Sequence, residues 1–157
     1  KSIRRATDLY GKKMLIGAGT VTRDAEVEQV REAGARLIVS PCADVEIVHE
    51  ARLRKMVVIP GVATATEAVH MVHAGADALK LFPADVLGVR MMTSLRAILP
   101  KGTLLTPVGG VDAETLPAWR EAGADAYGVG SALYRPGAKG KEIREKVRQL
   151  IEVLQRR

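Results

Sequence analysis

Lys80 stands in the run ALKLFPA, where five of the seven positions from Ala78 to Ala84 are apolar with Pro83 left aside, and turn-formers bound both ends. Such a run reads as a short strand buried on both faces. An ammonium ion in that setting carries a heavy desolvation penalty unless it is paired or loses its proton, so stability does not explain the lysine. Two chemistries remain open from the pattern. Burial lowers an amine's pKa and leaves a neutral nucleophile able to attack a carbonyl, which leads to Schiff-base chemistry. Alternatively, the lysine pairs with a carboxylate or reaches out of the strand end to water.

A second chemical signal lies further on. VGGV (Val108 to Val111) and VGSAL (Val129 to Leu133) follow two consecutive apolar runs. Glycines at strand ends let backbone N–H groups approach a phosphate closely, and two such turns in succession point to a phosphorylated ligand. The competing explanation is that each glycine only makes a tight turn.

These residues need a scaffold, and internal repetition supplies its outline. EAGARLIVSP (Glu32 to Pro41), HAGADALKLFP (His73 to Pro83) and EAGADAYGVGS (Glu121 to Ser131) share one grammar: helix end, Ala-Gly-Ala, short apolar strand. Gly34, Gly75 and Gly123 fit the residue just past a helix, where positive φ closes the helix end. Between the repeats lie MLIGAGTV (Met14 to Val21), MVVIPGV (Met56 to Val62) and TLLTPVGGV (Thr103 to Val111). Strands are therefore expected near 14–18, 37–40, 56–60, 78–82, 104–108 and 126–129. Helices alternate with them, including one already under way over 1–10 and a last one over 139–157. Thr64 and Glu67 fit a capping box, and Thr22 and Asp112 fit N-caps. Leu116, Trp119, Met91 and Met92 serve either core or an interface, with core favoured.

Six strand-helix units suit an open doubly wound sheet or a (β/α)8 barrel. Special residues sit at almost every strand end, among them Gly17, Gly19 and Thr20, Ser40 and Pro41, Pro60 and Gly61, Phe82 and Pro83, Gly109 and Gly110, and Gly130 and Ser131. An open sheet concentrates such residues at one switch point, so the distribution favours an α/β, TIM-type barrel of which this chain supplies about six βα units.

Composition narrows the classes. The chain has 157 residues, 47% hydrophobic and 27% charged, enough for one domain with a core. The single cysteine, Cys42, offers no internal disulfide and no zinc-type spacing, which favours a reducing, cytoplasmic setting and predicts no metal. No apolar run approaches the roughly 20 residues of a membrane span. Net charge is +6, but the last helix interleaves Glu142, Glu145 and Glu152 with its basic residues and aromatics are only 3%, so a solvated basic helix is favoured over a nucleic-acid surface.

The motifs LIGAGTV, LIVSP, IPGVATATEA, ALKLFPAD, PVGGV and GVGSALYRPG, in that order, resemble the class I aldolases that cleave 2-keto-3-deoxy-6-phospho sugar acids. The resemblance covers essentially the whole chain. It implies that Lys80 is the Schiff-base lysine and that the products are pyruvate and glyceraldehyde 3-phosphate, with no cofactor and no metal. It implies that Thr20 holds the pyruvate carboxylate, that Pro41 and Phe82 wall the pocket, and that Gly109, Gly110, Gly130 and Ser131 form the phosphate site. It also implies a homotrimer. Val108 precedes the Gly-Gly pair where gluconate-type members usually carry threonine. Valine cannot hydrogen-bond the C4 oxygen by which the epimers differ, so Val108, with ATATEA, favours the galactonate type. The alternatives are the gluconate type, a phosphate-binding or assembly scaffold derived from the family, and another phosphate-binding barrel enzyme such as a thiamine-phosphate synthase relative. Nothing here matches the two strand-helix units with which family members begin, which carry an arginine and an acid/base glutamate. Residues 1–157 are accordingly read as a single barrel-type domain lacking those units.

Overall fold

The computed structural model describes residues 1–155. Among them the order is α1 (Ser2–Tyr10), β1 (Gly17–Gly19), α2 (Asp24–Glu32), β2 (Leu37–Val39), α3 (Val45–Leu53), β3 (Val57–Ile59), β4 (Gly61–Val62), α4 (Ala65–His73), β5 (Leu79–Leu81), α5 (Ala84–Ile98), β6 (Leu105–Pro107), α6 (Leu116–Glu121) and α7 (Gly140–Gln155). In the N-terminal part the strands run in the order β1-β2-β3. The chain divides into two compact units, the first Lys1–Lys80 with Leu99–Thr103, the second Leu81–Ile98 with the described residues from Leu104 onward.

In the first unit β1, β2 and β3 are parallel, with Ala18, Ile38 and Val58 in register. Ile38 and Val58 are fully buried, as are Val27 of α2 and Ile47, Val48 and Ala51 of α3. Leu37, Val39, Val57 and Ile59, on the opposite face, are only half-buried. Alternation along a strand sends successive side chains to opposite faces, so one face carries the core. Gly17 has a steric reason for its identity, since a Cβ there would lie 2.5 Å from the Cβ of Leu37.

The Ala-Gly-Ala repeats do what their sequence implies. Gly34, Gly75 and Gly123 have φ of +90°, +92° and +90°. In each repeat the next alanine's N–H donates back five residues, Ala35 to Val30, Ala76 to Met71 and Ala124 to Trp119, which satisfies a carbonyl left open at the helix end. The second and third repeats continue with an aspartate. Asp77 accepts from the N–H of Val58 at 2.8 Å and pairs with Arg52; Asp125 accepts from the N–H of Leu105 at 2.8 Å and pairs with Arg96.

Four expectations shift. The first strand is Gly17–Gly19 rather than 14–18, because Lys13 and Met14 still donate to Tyr10 and prolong the end of α1, leaving Met14 and Leu15 exposed. The run 56–60 breaks at Pro60, which has no N–H for a ladder, into β3 and β4. The run 126–129 makes only one bridge, Gly128 to Val108, and no strand. Helix starts move as well. α2 begins at Asp24 after Arg23, with Glu26 accepting the N–H of Thr22, and α6 begins at Leu116 after Thr115, with Asp112 accepting from Glu114 and Thr115 one turn earlier. The Thr64–Glu67 capping box stands, and its carboxyl is held below the usual range by the backbone N–H of Ala63. The last helix spans Gly140–Gln155; positions 156 and 157 lie outside the described residues. Leu116, Trp119 and Met92 are buried, and Met91 is half-buried.

Candidate active site

In the first unit Lys80 is only 7% exposed, between Leu79 and Leu81, which are 1% and 0% exposed. Its N–H donates to the carbonyl of Pro60 at 2.9 Å. The next residue, Gly61, packs against the Pro41–Cys42 peptide so closely that a Cβ there would meet the Pro41 carbonyl oxygen at 2.4 Å. Only glycine fits, and the close approach brings Pro41 and Cys42 to the strand segment that holds the lysine backbone. Ser40 is fully buried; its Oγ lies 3.2 Å from Cys42 Sγ and accepts from the Cys42 N–H. Burial pushes the Lys80 ammonium below the ordinary lysine value, and the negative charge the Cys42 thiol can carry opposes that shift.

Thr20 directly follows β1 with φ of +61°. A β-branched residue in the left-handed region is strained, and such strain marks positions where the surroundings dictate the backbone. Its side chain is exposed. The first unit thus carries Thr20, Pro41 and Lys80, and adds Ser40 and Cys42.

The second unit carries Phe82, Val108, Gly109, Gly110, Gly130 and Ser131. The N–H of Val108 donates to Leu81 at 3.0 Å and its carbonyl accepts from Ala84 at 2.9 Å, which seats the loop beside the Phe82–Pro83 turn. Gly109 and Gly110 have φ of +109° and +65°. A Cβ on Gly109 would lie 3.1 Å from Asp85 Oδ1, and one on Gly110 2.7 Å from Asp85 Cβ, so conformation and crowding both require glycine. Gly130 differs: its φ is not in the left-handed region and nothing lies within 4 Å of a Cβ built on it. The two loops are neighbours, since Val108 bridges Gly128 in parallel and Gly128 leaves no room for a Cβ beside Val108 Cγ2 at 2.4 Å. Phe82 is half-buried, while Gly130 and Ser131 are exposed.

Residues 3–150 match the model of the aldolase family described as KDPG and KHG aldolase. The chain belongs to the KDPG and KHG aldolase family. Its similarity to individual aldolases of this family is extensive. It is 44% identical over 137 residues to the 2-dehydro-3-deoxy-6-phosphogalactonate aldolase of Escherichia coli (strain K12), covering 87% of this chain and 67% of that protein. It is 40% identical over 146 residues to a probable 2-dehydro-3-deoxy-6-phosphogalactonate aldolase of Rhizobium meliloti (strain 1021), covering 93% and 69%. A solved structure described as native KDPGal superposes with a TM-score of 0.96 at 39% identity, covering 98% of this chain and 75% of the other. The KDPG and KHG aldolase match accounts for the α/β fold with parallel strands. Among the described residues no helix is long and apolar enough to cross a membrane, and no group of three or more His, Cys, Asp or Glu is placed to hold a metal.

Cys42 and Asp85 are the site neighbours that sequence reasoning left out. Cys42 adjoins Pro41 in SPC, so its place beside a strand-end proline was a usable signal. Asp85 has no such signal, because only the fold brings its side chain onto Gly109 and Gly110.

Proposed function

We propose that the protein is a Schiff-base aldolase that cleaves 2-dehydro-3-deoxy-6-phosphogalactonate to pyruvate and glyceraldehyde 3-phosphate, with Lys80 as the nucleophile. The observation that carries the reading is Lys80 itself, a lysine 7% exposed on an apolar strand with its pKa lowered by burial. The galactonate assignment draws on the names of the relatives at 44% and 40% identity and on Val108 in place of a hydroxyl residue.

In this mechanism the neutral amine of Lys80 attacks the C2 carbonyl, the carbinolamine loses water, and a protonated imine results. The imine accepts the electron pair of the C3–C4 bond as it breaks, while the C4 hydroxyl gives its proton to solvent and C4 becomes the carbonyl carbon of the departing aldehyde. The enamine then takes a proton at C3, and hydrolysis releases pyruvate. Thr20 holds the carboxylate, Pro41 and Phe82 wall the substrate, and the glycine turns at Gly109, Gly110, Gly130 and Ser131 receive the phosphate on backbone N–H groups. The proposal extends to a TIM-type (β/α)8 barrel architecture of which this chain supplies about six βα units as one domain, to a homotrimer, and to a cytoplasmic setting suited to the free thiol of Cys42.

Borohydride reduction in the presence of pyruvate tests the reading. A single reduced pyruvyl adduct is expected on Lys80, located by peptide mass analysis; an adduct on another lysine, or none, refutes the assignment. Light scattering at micromolar concentration checks the trimer, with the mass of one chain as the contrary result. One observation favours a second reading of Val108. Its γ-carbons pack on Gly128, so the valine serves packing and the enzyme cleaves the gluconate epimer as well.

A further inference from the structure

We propose that Arg135 is a further substrate-binding residue, whose guanidinium supplies the positive charge for the phosphate received at the Gly130–Ser131 turn. The inference rests on the aldolase reading above and extends it. The N–H groups of Leu133 and Tyr134 both donate to the carbonyl of Gly130, at 2.9 and 3.0 Å, so the chain after Gly130 makes a helical turn. Arg135 stands four residues after Ser131, and side chains on such a turn lean back toward its start. Arg135 does so: its Nε donates to the Ser131 carbonyl at 3.3 Å. That tether uses the edge nitrogen and leaves both terminal nitrogens for an acceptor. Arg135 is exposed, and no carboxylate pairs with it among the described residues.

Charge distribution adds a separate argument. The chain contains 18 acidic residues, yet positions 126–141 contain none, against three cations, Arg135, Lys139 and Lys141. Of the three, only Arg135 is hydrogen-bonded to the loop. At the neighbouring Gly109–Gly110 loop the Asp85 side chain lies against both glycines, and its carboxylate repels a phosphate. A phosphomonoester dianion bound there by backbone N–H groups therefore needs a compensating cation at the other loop. The planar fork of a guanidinium engages two phosphate oxygens at once, which a lysine ammonium does not.

The test is a calorimetric titration of the protein with inorganic phosphate, run alongside borohydride trapping of pyruvate on the unmodified chain. Arg135→Gln should weaken phosphate binding about ten- to a hundredfold, the range for losing a charge-assisted pair of hydrogen bonds. Arg135→Lys, which keeps the charge without the fork, should fall between. Lys139→Gln, which removes a charge of the same segment with no hydrogen bond to the loop, should stay within about twofold of the unmodified protein. Phosphate affinity unchanged in Arg135→Gln, or lowered as much in Lys139→Gln, overturns the proposal, as does an unmodified protein that binds no phosphate. Failure to trap pyruvate on Lys80 refutes the aldolase reading instead, and the titration then decides Arg135 by itself.

Discussion

Lys80 in the first unit and the glycine turns of the second solve opposite problems. Lys80 is an ionisable side chain buried in an apolar strand, and burial lowers its pKa below the ordinary lysine value. The glycine turns have no side chains, and any binding they do comes from their backbone. A lysine at odds with its environment has few explanations. A glycine has two, ligand approach and the fold's own needs, and the structure separates them position by position. Gly109 and Gly110 are required by positive φ and by Asp85; Gly130 is required by neither. Of these three turn glycines, Gly130 is the one whose identity the fold leaves unexplained.

The largest expected effect falls on the lysine. Lys80→Met should abolish the reduced pyruvate adduct completely, and it should also stabilise the protein. Burial places the folded-state pKa below the unfolded one, so at neutral pH folding works against a charged lysine. That penalty fades as pH rises from the lowered pKa towards the ordinary lysine value. Urea unfolding at pH 7 should show Lys80→Met more stable by about 1 to 2 kcal/mol, with the difference shrinking at pH 10. A methionine variant less stable at pH 7 would mean that the lysine's contacts outweigh its desolvation.

Next in size is the contrast among glycines. Gly110→Ala forces a Cβ to 2.7 Å from that of Asp85 and strains a residue at φ of +65°; it should cost about 2 to 3 kcal/mol in thermal or urea unfolding. Gly130→Ala should stay within about 0.5 kcal/mol, since the site is open and its backbone unstrained. Its effect should appear in phosphate affinity instead. Equal destabilisation by the two substitutions would erase the distinction between a fold-required and a ligand-facing glycine.

Much of this arrangement is legible in the chain. The three Ala-Gly-Ala repeats announce helix ends because the positive φ that closes a helix selects glycine so strongly, and all three turns form as read. The Thr64–Glu67 box is similarly local, two side chains satisfying N–H groups three residues apart. What is not legible depends on partners distant in sequence. The run 126–129 has a strand's composition, yet it makes a single bridge, Val108 to Gly128, and no strand. Pro60 divides a run that composition alone joins. The seating of Pro41 and Cys42 against Gly61, and of Asp85 against Gly110, follows from packing between segments that no local pattern encodes.

The smallest effect belongs to Val108, which lies where the two kinds of reasoning meet. As a specificity residue, it denies a hydrogen bond to the C4 hydroxyl of one epimer. As a packing residue, it fills the space over Gly128, where Cγ2 would lie 2.4 Å from any added Cβ. Threonine has nearly the same shape but brings a hydroxyl into the packed site, so Val108→Thr tests the first role and its unfolding free energy reports the second. One gained hydrogen bond is worth about 0.5 to 1.5 kcal/mol. The ratio of kcat/KM for the gluconate epimer to that for the galactonate epimer should therefore rise about two- to tenfold. An unchanged ratio with unchanged stability would place the new hydroxyl away from C4 and leave Val108 as a packing residue. Epimer choice would then rest on other residues, and the galactonate assignment on the names of the relatives alone.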